Sequence, residues 1–182
     1  TFSQVRTIRD PKANFTTINY DTKGNAIEVI DALNNRTQMT YDSRGLLTSV
    51  TSAVGTPVQT TASFTYDARG NLLTTTDPKG NVTALTTDSV GNVTTSTDAE
   101  NRITQFTYDA RNRLIAVLDA DSKTTQYGYD PKGNLIQVRD AKNQITTFTY
   151  DGLDRLASAT NPLGFAETFA YDDNGNVISV TN

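Results

Sequence analysis

Three residue types with distinctive chemistry are missing from this 182-residue sequence, which contains no cysteine, no histidine and no tryptophan. Without cysteine and histidine the chain has no disulfides, thiolate nucleophiles, His-assisted catalytic triads or ordinary zinc and iron–sulfur ligands. Hydrophobic residues make up only 36% of the sequence, and no apolar run approaches the length of a membrane span. These absences argue against many common enzymes, against bound cofactors, against membrane insertion and against a large packed core.

No strong charge of one sign is present either. The net charge is −4, and acidic and basic residues are interleaved along the whole chain. This pattern offers no basic stripe for nucleic acid and no polybasic face for anionic lipid. The N-terminal stretch TFSQVRTIRD lacks the apolar region of a signal peptide, so we expect the sequence to be a piece of a longer chain. The lack of cysteine is compatible with export and equally with the cytosol.

A repeated Tyr-Asp pair is the most prominent feature that the sequence does contain. Successive pairs are 21 residues apart, except for one interval of 25 residues between Tyr41 and Tyr66. The four extra residues lie within SAVGTPVQTTASF at 52–64, where we predict a lengthened loop inside a single repeat array covering 1–182. The pairs are Tyr20-Asp21, Tyr41-Asp42, Tyr66-Asp67, Tyr108-Asp109, Tyr129-Asp130, Tyr150-Asp151 and Tyr171-Asp172, with Thr87-Asp88 in the one vacant place.

A second acidic turn lies about halfway through each repeat. Counting both kinds of turn from Asp67 onwards, the steps alternate between 10 and 11 residues, which leaves room for one short strand between turns. No segment shows a sustained apolar pattern at helical spacing, so helices are not expected. The second turns begin at Asp31, Asp77, Asp98, Asp119, Asp140 and Asn161.

The turn sequences have a clear physical logic. Asp accepts hydrogen bonds from its own downstream backbone, Pro presets φ at the next position, and Gly or Asn follows where a left-handed conformation is needed. We therefore predict hairpin turns with a Gly-type bulge. The stretch DPKGN occurs at 77–81 as a second turn and at 130–134 as a turn of the Tyr-Asp type. These two copies are separated by an odd number of turn-to-turn steps, and each step crosses the sheet from one edge to the other. We therefore predict that they lie at opposite edges of the sheet and share no site.

Strands that enter the Tyr-Asp turn alternate between two faces. In ITQFTY at 103–108, Phe106 and Tyr108 are predicted on one face and Thr107 on the other, and ITTFTY at 145–150 has the same pattern. Equivalent tyrosines two strands apart would be about 9–10 Å from each other, so each ring should pack on the neighbouring strand and backbone. Strands that leave the turn, such as NLIQV at 134–138, alternate less clearly, and their inward register stays open.

The simplest topology for these turns is an antiparallel meander of about seventeen strands, wider than twisted sheets usually become without curling or closing. The predicted fold is all-β. It is an antiparallel β-hairpin meander of about 21-residue repeats that coils into a β-spiral, a hollow shell or a β-solenoid-like rod.

The repeats YDARGNLLTTTDPKGNVTAL at 66–85 and YDPKGNLIQVRDAKNQITTFT at 129–149 resemble the YD repeats of the Rhs family. That family includes wall-associated proteins, the C components of Tc toxins and teneurins. The resemblance implies a long β-sheet that spirals into a hollow shell, which encloses a toxic segment in bacterial toxins and forms a cell-surface barrel in teneurins. NPLG at 161–164 resembles the DPxG signature near the family's cleavage site, but it falls in phase as a second turn, so self-cleavage is not expected here.

Catalysis, calcium binding, glycosylation and glycan stacking are alternatives to a purely structural role for the repeated residues. Paired carboxylates could catalyse glycoside hydrolysis, but these aspartates are equivalent by repetition and none is singled out. Calcium binding needs six to eight oxygens, more than one turn supplies. The sequons at Asn14, Asn35, Asn81 and Asn92 fit N-glycosylation or plain turn preference, and the tyrosines fit a glycan-stacking ladder or strand packing.

The favoured function is therefore a non-enzymatic structural segment that builds part of a shell around a toxin or an unfolded cargo. The alternatives are a cell-surface adhesion or carbohydrate-binding module and a self-assembling extracellular fibre. Expected partners are flanking repeats or other copies of the chain, together with an enclosed toxin domain or a surface glycan. The expected location is secreted or on the cell surface of a bacterium.

Overall fold

The computed structural model describes residues 6–181, which form seventeen β-strands and no helix, and hence no helix that could cross a membrane. This confirms the predicted all-β class with one short strand between successive turns. The strands are β1 Thr7–Arg9, β2 Phe15–Tyr20, β3 Ala26–Ile30, β4 Arg36–Tyr41, β5 Leu47–Ser52, β6 Thr60–Tyr66, β7 Leu72–Thr76, β8 Val82–Thr87, β9 Val93–Thr97, β10 Ile103–Tyr108, β11 Leu114–Leu118, β12 Thr124–Tyr129, β13 Leu135–Arg139, β14 Ile145–Tyr150, β15 Leu156–Thr160, β16 Ala166–Tyr171 and β17 Val177–Thr181.

The chain divides into two compact units, Thr1–Thr87 with Ser96–Arg102 and Asp88–Thr95 with Ile103–Asn182. In the first unit, strands β1 to β8 form an antiparallel meander in which each strand pairs with the next. In the second unit, strands β10 to β17 form a meander of the same kind. Within each unit, consecutive reversals put the turns that begin at the Asp of the Tyr-Asp position, here called YD turns, at one edge and the second turns at the other.

The connections between strands are nearly uniform. Fifteen of the sixteen connections are turns that begin with Asp or Asn and share the same pair of backbone hydrogen bonds. The exception joins β5 to β6 through residues 53–59, inside the stretch where a lengthened loop was predicted. There the Val54 amide donates to the Arg36 carbonyl at 3.0 Å, which ties this longer connection to the neighbouring strand β4.

The two faces of the entering strands differ as predicted. In β10, Phe106 and Tyr108 are half-buried and Thr107 is exposed, which confirms the period-two assignment. We call the side that carries these aromatic residues the tyrosine face, and the other side the polar face. No side chain within residues 6–181 is fully buried, so the tyrosine face gains its cover from neighbouring strands of its own unit rather than from a packed core.

A β-bulge in the leaving strand explains why its alternation was unclear. Thr107 pairs with Ala116 but Tyr108 pairs with Leu114, so Ile115 is an extra residue without a ladder partner. As a result Leu114 and Val117, three residues apart, both lie on the tyrosine face. The same shift precedes the tyrosine in six further YD hairpins, and it gives the inward register that the sequence left open.

Hydroxyl contacts show which way the extra residue of the bulge faces. The Thr40 hydroxyl lies 2.8 Å from the Thr48 hydroxyl and 2.7 Å from the Ser49 hydroxyl, so the bulge residue Thr48 shares the polar face with Ser49. At equivalent positions Ile27 and Ile136 are 37% and 38% exposed. The bulge therefore places an apolar side chain on the polar face in several repeats.

Candidate functional site

The aspartate of each YD turn binds the backbone of its own turn. In the turn at Asp67, the Gly70 amide donates to the Asp67 carbonyl at 3.1 Å, and the Asp67 amide donates to the Asn71 carbonyl at 2.9 Å. One carboxylate oxygen accepts the amides of Arg69 and Asn71, both at 2.8 Å, and the other accepts the Asn71 side-chain amide at 2.9 Å. The side-chain bond and then the backbone bond from Asn71 lower the pKa of the Asp67 carboxyl.

This arrangement recurs at every predicted Asp position of the YD turns. Each of the eight carboxylates accepts two backbone amides of its own turn. One amide is four residues ahead, and the other is two residues ahead, or three at Asp130. The pKa of all eight carboxyls is lowered. A carboxylate occupied in this way acts as a turn cap. The eight residues are Asp21, Asp42, Asp67, Asp88, Asp109, Asp130, Asp151 and Asp172.

The fourth position of the turn adopts a positive φ in all fifteen turns. Glycine occupies it in many repeats, with φ of 94° at Gly70 and 107° at Gly133, as the turn chemistry predicted. Residues other than Gly and Asn also stand there, because Ala13, Ser122 and Asp154 have φ between 60° and 68°. The turn frame therefore imposes a left-handed residue even where the side chain does not favour it.

In five of the seven YD pairs the tyrosine links its hairpin to the preceding one. The Tyr150 hydroxyl donates to the Leu135 carbonyl at 2.9 Å, so it reaches the first residue of the neighbouring leaving strand. This contact agrees with packing on the adjacent strand instead of stacking between tyrosines. Tyr20 and Tyr108 end β2 and β10 at the same place, as Thr87 ends β8. The other hydroxyl bonds are Tyr41 to Ala26 at 2.8 Å, Tyr66 to Leu47 at 2.9 Å, Tyr129 to Leu114 at 2.8 Å and Tyr171 to Leu156 at 2.8 Å.

Two arginines strengthen this link in the second unit, a feature that the sequence reasoning missed. The Arg155 Nε donates to an Asp151 carboxylate oxygen at 2.7 Å, while its Cζ lies 4.5 Å from the centre of the Tyr171 ring. Arg113 makes the same pair of contacts with Asp109, at 2.7 Å, and with Tyr129, at 4.7 Å. The available signal was an arginine at the fifth turn position, where Asn stands in most repeats.

Neighbouring YD turns also contact each other directly. In the first unit the Lys23 ammonium donates to the Ser43 carbonyl at 2.9 Å. In the second unit the Arg111 guanidinium donates to the Pro131 carbonyl at 2.6 Å, and the Lys132 ammonium to an Asp154 carboxylate oxygen at 2.8 Å. The edge formed by the YD turns in each unit is therefore bonded from hairpin to hairpin by side chains as well as by the strand ladders.

The same turns and strands match the family model for the RHS repeat, which aligns with residues 20–57, 56–82, 88–124, 108–145, 129–166 and 150–182. The chain belongs to the RHS repeat family. A comparison with curated protein sequences gave no match. The alignments at 88–124, 108–145 and 129–166 each cover two turns of each kind, in keeping with the two strands per RHS repeat seen in the fold.

Solved structures share this fold at low sequence identity. The RHS repeat chain is similar to TcdB2-TccC3, with a TM-score of 0.61 and 16% identity over 96% of this chain and 12% of that one. TcdB2-TccC3 without its hypervariable C-terminal region gives a TM-score of 0.57 and 20% identity, over 96% of this chain and 13% of that one. The chain thus spans about one eighth of the length of these structures, and the similarity shows a common fold.

The capping aspartates of the RHS repeats bind the backbone of the turns that they open. The capping carboxylates accept hydrogen bonds within their own turns, as at Asp67, Asp77 and Asp88. Within the described part of the chain, no three acidic side chains approach closely enough to hold a metal ion. The geometry of these residues serves the turns and the links between hairpins.

Proposed function

We propose that this chain is a structural, non-enzymatic segment of a longer RHS repeat protein, and that its sheet forms part of a wall around a toxin or an unfolded polypeptide cargo. One observation carries the proposal. In each unit, successive hairpins are joined by a tyrosine hydroxyl bond to the previous repeat, in addition to the strand ladder. A wall has to resist separation of neighbouring hairpins, and a bond repeated at five of the YD tyrosines distributes that resistance along the array.

The way the polar groups are used supports this role. The turn carboxylates, which would be the candidates for acid or base chemistry, already accept hydrogen bonds from their own turns. The lack of any fully buried side chain within residues 6–181 also fits a sheet that encloses space more than one that packs a core. Membership of the RHS repeat family and the resemblance to the repeats of Tc toxin C components point in the same direction.

The proposal includes partners and a location. Flanking RHS repeats of the same protein would continue the ladder from the edge strands, because an unpaired strand edge offers free N–H and C=O groups. Other copies of the chain could take their place. The parent protein would be secreted or exposed on the surface of a bacterium, where it encloses a toxin domain or presents its outer surface to glycans.

Limited proteolysis of the parent protein tests the enclosure. The polypeptide that follows the RHS repeats should be cleaved far more slowly in the intact protein than when it is expressed alone. Substituting Tyr129, Tyr150 and Tyr171 by Phe should speed cleavage, whereas Tyr127→Phe should leave the rate unchanged. Cleavage as fast in the intact protein as in the free polypeptide would exclude enclosure. Regular filaments of the purified chain or direct glycan binding would favour the fibre or adhesion alternatives.

A further inference from the structure

The repeat frame supplies an internal standard, because residues at equivalent positions of different repeats can be compared directly. Most departures from the frame are scattered, but four of them line one pocket in the second unit. Its volume is about 490 Å³, within the range of ordinary ligand pockets. The pocket lies on the tyrosine face beside the turn between β15 and β16, and its lining residues are Thr146, Ala159, Asn161, Phe165, Ala166 and Glu167.

Two of the departures create the space and the aromatic wall. Ala159 stands opposite Phe148 in the ladder, where Val117 and Val138 stand opposite the equivalent aromatic residues, so the smaller side chain leaves room. Phe165 occupies the fifth position of a second turn, where all other second turns have a polar residue. It is 70% exposed, although it borders the pocket.

The other two departures set the charge of the pocket. Asn161 opens this turn in place of the usual Asp, so the turn itself carries no carboxylate. Glu167 pairs with Ala159 across the ladder, at the position where Thr125 and Thr146 stand in the two preceding repeats. No basic side chain of the described residues pairs with Glu167, so its carboxylate is free to bind a cation from outside.

The chain shows elsewhere what fits between an aromatic ring and a carboxylate. The Arg155 guanidinium lies over the Tyr171 ring and bonds the Asp151 carboxylate, and Arg113 does the same between Tyr129 and Asp109. Phe165 and Glu167, two residues apart and roughly 6.7 Å along an extended chain, provide a ring and a carboxylate with no arginine of their own. A planar guanidinium matches both walls, since it stacks on rings and binds carboxylates with two parallel bonds.

We propose that this pocket receives an arginine side chain from an extended polypeptide that crosses the tyrosine face of the second unit. The guanidinium stacks on Phe165 and pairs with Glu167, while the aliphatic part of the side chain fills the space left by Ala159. The polypeptide is a partner segment, and the proposal does not depend on the enclosure of a cargo.

Peptide titration followed by the backbone amide signals of the 15N-labelled chain tests the proposal. The probe is a five-residue blocked peptide, Ser-Val-Arg-Val-Ser, and its comparison is the same peptide with citrulline, a neutral isostere, in place of arginine. The arginine peptide should shift the amides of Phe165 and Glu167 saturably. The citrulline peptide should bind about fivefold more weakly, and added salt should weaken the binding of the arginine peptide.

Three variants replace a pocket residue by the residue that stands at the equivalent position of other repeats. Each should weaken the binding of the arginine peptide about threefold. They are Ala159→Val, Phe165→Asn and Glu167→Thr, each of which installs a residue found at the same position elsewhere. Leu163→Asn, in the same turn but outside the pocket, is the matched control and should bind as the unmodified chain does. Equal binding of both peptides, or a loss with Leu163→Asn as large as with Glu167→Thr, would overturn the proposal.

Discussion

Replacing Tyr150 by Phe removes a single hydroxyl group from the link between two hairpins. The bond to the Leu135 carbonyl is 2.9 Å long and partly buried, and no arginine lies over this ring among the described contacts. Loss of one such bond costs about 1 kcal/mol of unfolding free energy. For a chain of this length, that cost lowers the melting temperature by about 2–4 °C.

Tyr127→Phe is the matched control for this experiment. Tyr127 lies on the tyrosine face two residues before Tyr129, and its hydroxyl has no hydrogen bond within the described part of the chain. The control should melt at the same temperature as the unmodified chain when both are followed by circular dichroism. The triple variant at Tyr129, Tyr150 and Tyr171 should lose about 3 kcal/mol, because the three bonds lie in different hairpins. If Tyr150→Phe melted like Tyr127→Phe, the hydroxyl bond would not hold the hairpins together.

Three further perturbations test the turns and the repeat frame. Gly133→Val should cost about 1–3 kcal/mol in a thermal melt, because φ is 107° and a new Cβ meets nothing within 4 Å, leaving backbone strain as the cause. An unchanged melting temperature would contradict the assigned turn. Thr87→Tyr should raise stability by about 1 kcal/mol, because its hydroxyl could bond the Leu72 carbonyl as its equivalents do, and a strong loss would show that this repeat is specialised. The pKa of Asp67 is lowered in the folded chain by the side-chain and backbone bonds from Asn71, so the folded state binds fewer protons than the unfolded state near pH 4. The melting temperature should stay level from pH 7 to about pH 5 and fall below about pH 4, and a level profile down to pH 3 would refute the role of the turn carboxylates.

Local rules were enough to predict the turns and the class of fold. Each turn is specified by five consecutive residues. The first is an Asp that accepts hydrogen bonds from the backbone ahead of it, and the residue three positions later has a positive φ. Since the reversals are local and, apart from the longer connection at 53–59, recur every 10 or 11 residues, the order of strands in each unit follows from the turns alone. The period-two pattern at Phe106 and Tyr108 was equally readable, because neighbouring residues of a strand always face opposite sides.

Contacts between repeats could not be obtained in this way. The position of the bulge at Ile115, and hence the inward side of the leaving strand, depends on how two strands pair across the turn. The hydroxyl bond from Tyr150 to Leu135 joins residues 15 apart, and it exists only once the neighbouring hairpin is in place. The pocket beside Phe165 likewise needs three adjacent strands, because its walls come from β14, β15 and β16. Each hairpin therefore follows from its own residues, because its energetics are local. How hairpins join, and which departures from the repeat meet in space, depends on contacts between strands that are distant in sequence.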